Sequence, residues 1–91
     1  QRNSFGETPL LVAAKCNHFE LIESILRRRV DSAEQIDRKK NNILHLLAEH
    51  QHSDTLRLTL ALLPEELKMK LVKATNQLDQ RPVDIAQVHE H

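Results

Sequence analysis

Apolar positions recur along this chain in short helical runs, each closed by a polar turn. Leu10, Val12, Ala13 and Ala14 form the first run, a short helix of small residues suited to close approach by a neighbour. Thr8 is placed to cap it by accepting a backbone N–H, and Pro9 suits its first position, where a missing N–H costs nothing. After a tight connection at Asn17-His18, Leu21, Ile22, Ile25 and Leu26 recur at i, i+1, i+4 and i+5, the stripe of a second helix. Arg27-Arg28-Arg29 closes it, where positive charge complements the helix dipole. Further on, Leu56, Leu60 and Leu63 define one helical face, and Pro64-Glu65-Glu66 restarts a helix with proline first and acids in the first turn. Leu67, Met69, Leu71 and Val72 carry that helix to Lys73. Ser32-Ala33-Glu34-Gln35 reads as a capping box, which predicts a short helical turn in the preceding loop.

The runs repeat. Gly6-Glu7-Thr8-Pro9-Leu10-Leu11-Val12-Ala13-Ala14 returns in degraded form as Asn41-Asn42-Ile43-Leu44-His45-Leu46-Leu47-Ala48 and again as Gln80-Arg81-Pro82-Val83-Asp84-Ile85-Ala86. The pattern resembles the ankyrin repeat, whose form is D-x-x-G-x-T-P-L-H-x-A-A, then a Gly-His turn and a second helix. Asn3 stands at the Asp position, Gly6 at the Gly, Thr8-Pro9-Leu10 match outright, and Leu11 replaces the His. In the second unit Asp37 matches, Lys40 replaces Gly, Asn42-Ile43 replace Thr-Pro, and Leu44-His45-Leu46 match. The third unit has Asn76, Asp79 for Gly, Arg81 for Thr, and then Pro82-Val83-Asp84-Ile85-Ala86. Asn3 to Asp37 is a step of 34 (37 − 3), close to the family period of about 33. Asp37 to Asn76 is 39 (76 − 37), which puts about six extra residues in the second unit. The resemblance implies an all-α helix-turn-helix stack, a solenoid, with an extra short helix inserted in the second repeat. The expected organisation is a single domain over 1–91, with units at about 3–36, 37–75 (insertion near 62–73) and a partial 76–91.

Composition fits a small domain that relies on close stacking, because a chain of 91 residues buries only about 60–65% of its unfolded surface. Leu, Ile, Val and Ala do the packing, since only two Phe and no Trp or Tyr are present. Thirteen basic and thirteen acidic residues cancel, which argues against a generic nucleic-acid or membrane-surface binder. Cys16 is the single cysteine, so no internal disulfide forms; that favours a reducing compartment and an intracellular setting, cytoplasm or nucleus. No apolar run approaches the ~20 residues that span a bilayer. Because the chain starts inside one unit and stops soon after another begins, a longer parent carrying any targeting signal is expected.

Catalytic, cofactor and metal readings find little support. His45, His50 and His52 lack the i, i+3 or i+4 spacing that places ligands on one helical face, and one cysteine gives no zinc framework. The resemblance assigns His45 to tying the repeat loops together and places His18 and His52 on the Gly-His turn. Cys16 and His18 have no orienting third group, and a single glycine builds no phosphate loop. No enzyme activity and no cofactor are expected.

A partner surface is expected instead. As the resemblance implies, loop tips and first-helix positions contact partners. The tips are Ser4, Phe5, Glu7, Arg38, Lys39, Lys40, Asn41, Gln77, Leu78 and Gln80, extended along the first helices by Lys15, Cys16, Glu49 and His50. Phe5 is the expected anchor, and Arg38-Lys39-Lys40 would attract an acidic segment of a protein partner. Neither nucleic acid nor membrane is expected. The family includes inhibitors of transcription factors such as the I-kappa-B group, adaptor scaffolds, and viral or bacterial effectors, and the residues decide among none of them. A structural reading stays open: one segment of a longer array, or a homodimer formed through the extra helix or the open C-terminal end.

Overall fold

A computed structural model describes residues 6–89, with side chains placed through Ile85. Among the described residues every regular element is helical: α1 (Pro9–Lys15), α2 (Phe19–Arg28), a 3-10 turn (Val30–Glu34), α3 (Ile43–Glu49), α4 (Ser53–Leu62), α5 (Glu65–Lys73) and α6 (Pro82–His89). Local chemistry explains the helix starts. Thr8 Oγ1 accepts the Leu11 N–H at the head of α1, and Asn42 does the same for the His45 N–H at the head of α3. At α6 the capping position is Arg81, which has no acceptor, so Asp84 reaches back to take the Arg81 N–H at 2.9 Å. The same carboxylate pairs with the Arg81 guanidinium, which holds its pKa below the usual aspartate value.

Packing runs along two rows. α1 packs on α3 and α3 on α6, while α2 packs on α4; within units α1 meets α2 and α3 meets α4. Leu10, Leu11, Ala13 and Ala14 of α1, and every residue of α3 from Ile43 to Ala48, are buried in the seams. The row of α1 and α3 is therefore mainly apolar where these short helices meet their neighbours.

The amphipathic stripes are narrower than the sequence pattern predicts. On α2 only Ile22 and Leu26 are buried; Ile25 is half-buried and Leu21 is 41% exposed. On α4 the buried positions are Thr55 and Thr59, with Leu63 just beyond the helix, whereas Leu56 and Leu60 are half-buried. The shift has a simple cause. Ile22 and Leu26 occupy the same register as Leu56 and Leu60, but the first pair is covered by α4 and the second faces an open flank. Conversely Thr55 and Thr59 are buried on the side of α4 that meets α2, while Ile25 packs only partly against the core and Leu21 is exposed.

Two smaller expectations also shift. The short turn after α2 begins at Val30, and no side-chain cap from Ser32 supports it. Pro64 is the cap of α5, one residue before its first helical position. α5 is fastened by buried Leu71, whose carbonyl accepts from Asn42 Nδ2 at 3.3 Å, and by Lys70, which reaches Glu34 at 2.6 Å.

Candidate functional site

Two turns of the same construction define the edge of the molecule. In the first, Asp37 Oδ1 accepts the backbone N–H of Lys39 and of Asn41, both at 2.9 Å. In the second, Asn76 Oδ1 accepts the N–H of Leu78 at 2.9 Å and of Gln80 at 3.0 Å. Backbone bonds repeat as well: Asp37 N–H to Asn41 O and Lys40 N–H to Asp37 O in one, Asn76 N–H to Gln80 O and Asp79 N–H to Asn76 O in the other. Both turns place one residue in the left-handed region, Lys40 at φ +64° and Asp79 at φ +61°; Gly6 occupies the matching place in the first unit at φ +76°. These are the positions at which the sequence pattern substitutes for glycine, and the backbone keeps the glycine conformation regardless of the residue. The helix–helix turns behave alike, with Asn17 at +59° and Gln51 at +61°.

The turns are joined side by side. Gln77 N–H donates to Lys39 O at 2.7 Å, and Asn76 Nδ2 donates to Asn41 Oδ1 at 2.8 Å. His45 completes the link from below. Its Nδ1 accepts the Asn42 N–H at 3.0 Å, which fixes the proton on Nε2, and Nε2–H donates to Gln80 O at 2.8 Å. The ring is fully buried, and burial pushes its basicity below the ordinary histidine value, outweighing the carbonyls of Gln80 and Ala74 and the charges of Asp37 and Glu49. The other seam is tied by His52, whose Nε2 lies 3.2 Å from Lys15 O, and by Thr55, whose hydroxyl donates to Asn17 Oδ1.

Between the turns and the first helices runs an open groove of about 400 Å³, lined by Glu7, Lys15, Asp37, Arg38, Lys39, Asn41, Leu46, Glu49 and His50. Seven of these were expected as partner positions; Asp37 and Leu46 were not. Leu46 lies in the α1–α3 seam, at the step of one unit from Val12, and that register was the available signal. Cys16 is exposed as the C-cap residue of α1. Lys40, Gln77 and Leu78 are exposed on the turn tips beyond the groove. Ser4 and Phe5 lie outside the described residues, and with them the expected anchor.

Three expected tip residues do not project. Glu7 is buried because Lys15 bridges to its carboxylate. Asn41 is buried because its side chain joins the two turns through Asn76. Gln80 is half-buried, its carbonyl held by His45 and its side-chain oxygen 3.2 Å from Asn76 Nδ2. These three shape and hold the surface, whereas Arg38, Lys39, Lys40, Gln77 and Leu78 form its outward part.

Among the described residues no group of three His, Cys, Asp or Glu side chains is placed to share a metal ion, and no helix is long and apolar enough to cross a membrane.

Among the described residues the chain is all-helical, with turns that share the same hydrogen bonds and an open groove beside the turn tips. The family model described as "Ankyrin repeat" matches residues 5–34, so the segment holding the first helix pair is similar to an ankyrin repeat. Ankyrin repeats are generally protein–protein interaction modules and are typically non-enzymatic.

Proposed function

We propose that the chain is a non-enzymatic protein-binding module built as an ankyrin solenoid. The units run over about 3–36, 37–75 and 76–91, with α5 as an insertion in the second. The partner sits across the turn tips and into the groove beside α1 and α3. One observation carries this reading: Glu7, Lys15, Arg38, Lys39, Asn41, Glu49 and His50, far apart in sequence, converge on a single groove. The rigid turns hold that surface in one conformation, so little entropy is lost when a partner docks. An intracellular role as inhibitor or adaptor of a regulatory protein suits such a surface. The test is a photo-crosslinking amino acid placed at Glu49 or His50, compared with one at Arg57 on the opposite side. Crosslinks to the same partner from the first two sites and not from the third are expected. Equal yields from all three would overturn the reading.

A second reading rests on the open flank. Leu44, Leu56, Leu60, Val72, Lys73, Arg81, Pro82 and Val83 line an apolar groove of about 450 Å³ there. Self-association through this face would make the chain one segment of an assembly. Sedimentation velocity over a concentration series decides it, since a dimer would dissociate on dilution and Leu60→Glu would abolish it.

A further inference from the structure

Resting on the reading of the chain as a protein-binding module, we propose that the turn over residues 37–41 is a carboxylate-recognition tip. Its ligand is an acidic peptide segment of the partner that carries a large apolar side chain next to its acidic residues.

The comparison of the two turns carries the argument. They share the same side-chain and backbone hydrogen bonds and the same left-handed residue. Their tips differ completely in chemistry: Arg38-Lys39-Lys40 on one, Gln77-Leu78-Asp79 on the other. The fold therefore has no need of three cations at this place. Nor do the cations serve it, since among the described residues the side chains of Arg38, Lys39 and Lys40 make no hydrogen bond or ion pair. Lys40 adds a cost, because a side chain at φ +64° is strained where Gly6 meets the same requirement freely. Charged groups that the fold does not require and that make no internal ion pair or hydrogen bond point to an external partner.

Geometry makes the tip ready for a carboxylate. A Cβ on Gly6 would come within 2.7 Å of Arg38 Cγ and 3.2 Å of Arg38 N, so the stem of Arg38 lies directly on the glycine. The stem is positioned by that contact, and the guanidinium beyond it is exposed. A planar guanidinium held in this way offers two parallel donors to one carboxylate. Asp37 does not compete for it, because its Oδ1 is engaged by two backbone N–H groups and its Oδ2 faces Asn41 Nδ2 at 3.5 Å. Glu7 is likewise held by Lys15. The adjoining tip supplies the apolar half of the recognition. Leu78 is 76% exposed, and the Gln77–Lys39 backbone bond of 2.7 Å fixes it beside the cations. A ligand presenting two acids beside one Leu, Ile or Phe satisfies both tips together.

The test uses a phage-displayed library of random peptides selected on the immobilised full chain at low salt. Enriched clones, made as fluorescent synthetic peptides, are then measured by anisotropy. Clones carrying paired Asp or Glu next to a large apolar residue are expected. Arg38→Glu/Lys39→Glu should weaken them by roughly tenfold or more, and added salt should weaken them too, since the contacts are solvent-exposed charge pairs. Arg57→Glu/Lys68→Glu, which removes the same charge from α4 and α5, should leave affinity unchanged. Circular dichroism confirms that each variant is folded. Clones without acidic residues, or equal losses from both double variants, overturn this inference and leave the module standing. If no clone enriches above a blank surface, both readings fall.

Discussion

Replacing His45 with leucine removes the link that holds the second and third units together while keeping an apolar side chain of similar bulk in the cavity. The Asn42 N–H is orphaned, while Gln80 O loses one of two donors and keeps the Asn76 N–H. The Asn42 N–H no longer has Nδ1 at 3.0 Å, and Gln80 O no longer has Nε2–H at 2.8 Å. A buried polar group left unsatisfied costs about 1–3 kcal/mol and a lost hydrogen bond about 0.5–1.5 kcal/mol, so the variant should lose about 1.5–4.5 kcal/mol. A domain of this size holds a total of roughly 5–14 kcal/mol at 0.05–0.15 kcal/mol per residue, so the loss is a large share. Urea unfolding followed by circular dichroism measures it. The same pair of proteins tests the protonation argument. Burial sets the folded basicity of His45 below the unfolded value of 6.5, so at intermediate pH the unfolded chain binds more protons. Stability from this group is therefore complete above about 6.5 and declines as pH falls below it. The variant lacks that component, and the difference between the two titrations isolates it. A loss below about 1 kcal/mol would show that the imidazole bonds are replaceable, against the cost assigned to orphaned groups. An identical pH dependence in both proteins would show that His45 titrates alike folded and unfolded.

Three further outcomes are expected. Thr59 is fully buried and its hydroxyl has no partner, so Thr59→Val should raise stability by about 1 kcal/mol in the same urea assay; a loss would mean that the hydroxyl is satisfied. Lys40→Gly should stabilise by about 0.5–1 kcal/mol by relieving the left-handed side chain at φ +64°, read as a rise in melting temperature. Gly6→Ala should destabilise by about 1–2 kcal/mol, since its Cβ meets the Arg38 stem at 2.7 Å in a left-handed conformation; an unchanged midpoint would mean that the turn moves aside freely.

The spacing of turn residues was legible because it follows from local chemistry. An Asp or Asn at 37 and 76 can bond its own turn, and the positions of Gly6, Lys40 and Asp79 demand one backbone conformation whatever residue stands there. The caps at Thr8 and Asn42 are local in the same sense. Helix existence and order were accordingly set by the sequence alone, down to the interruption before Glu65. Burial was not. Which side of α4 is covered depends on α2 lying over Thr55 and Thr59 and on an open flank beside Leu56 and Leu60, so the more apolar stripe is the less buried one. Glu7 and Asn41 read as tip residues and became internal because Lys15 and Asn76, distant in sequence, arrive to pair with them. The groove itself, which gathers Arg38 and Lys39 with Glu49 and His50, exists only once α1 and α3 are side by side. Turn and cap bonds close within a few residues and can be read along the chain. Burial and convergence are fixed by contacts between units, which are decided only when the helices pack.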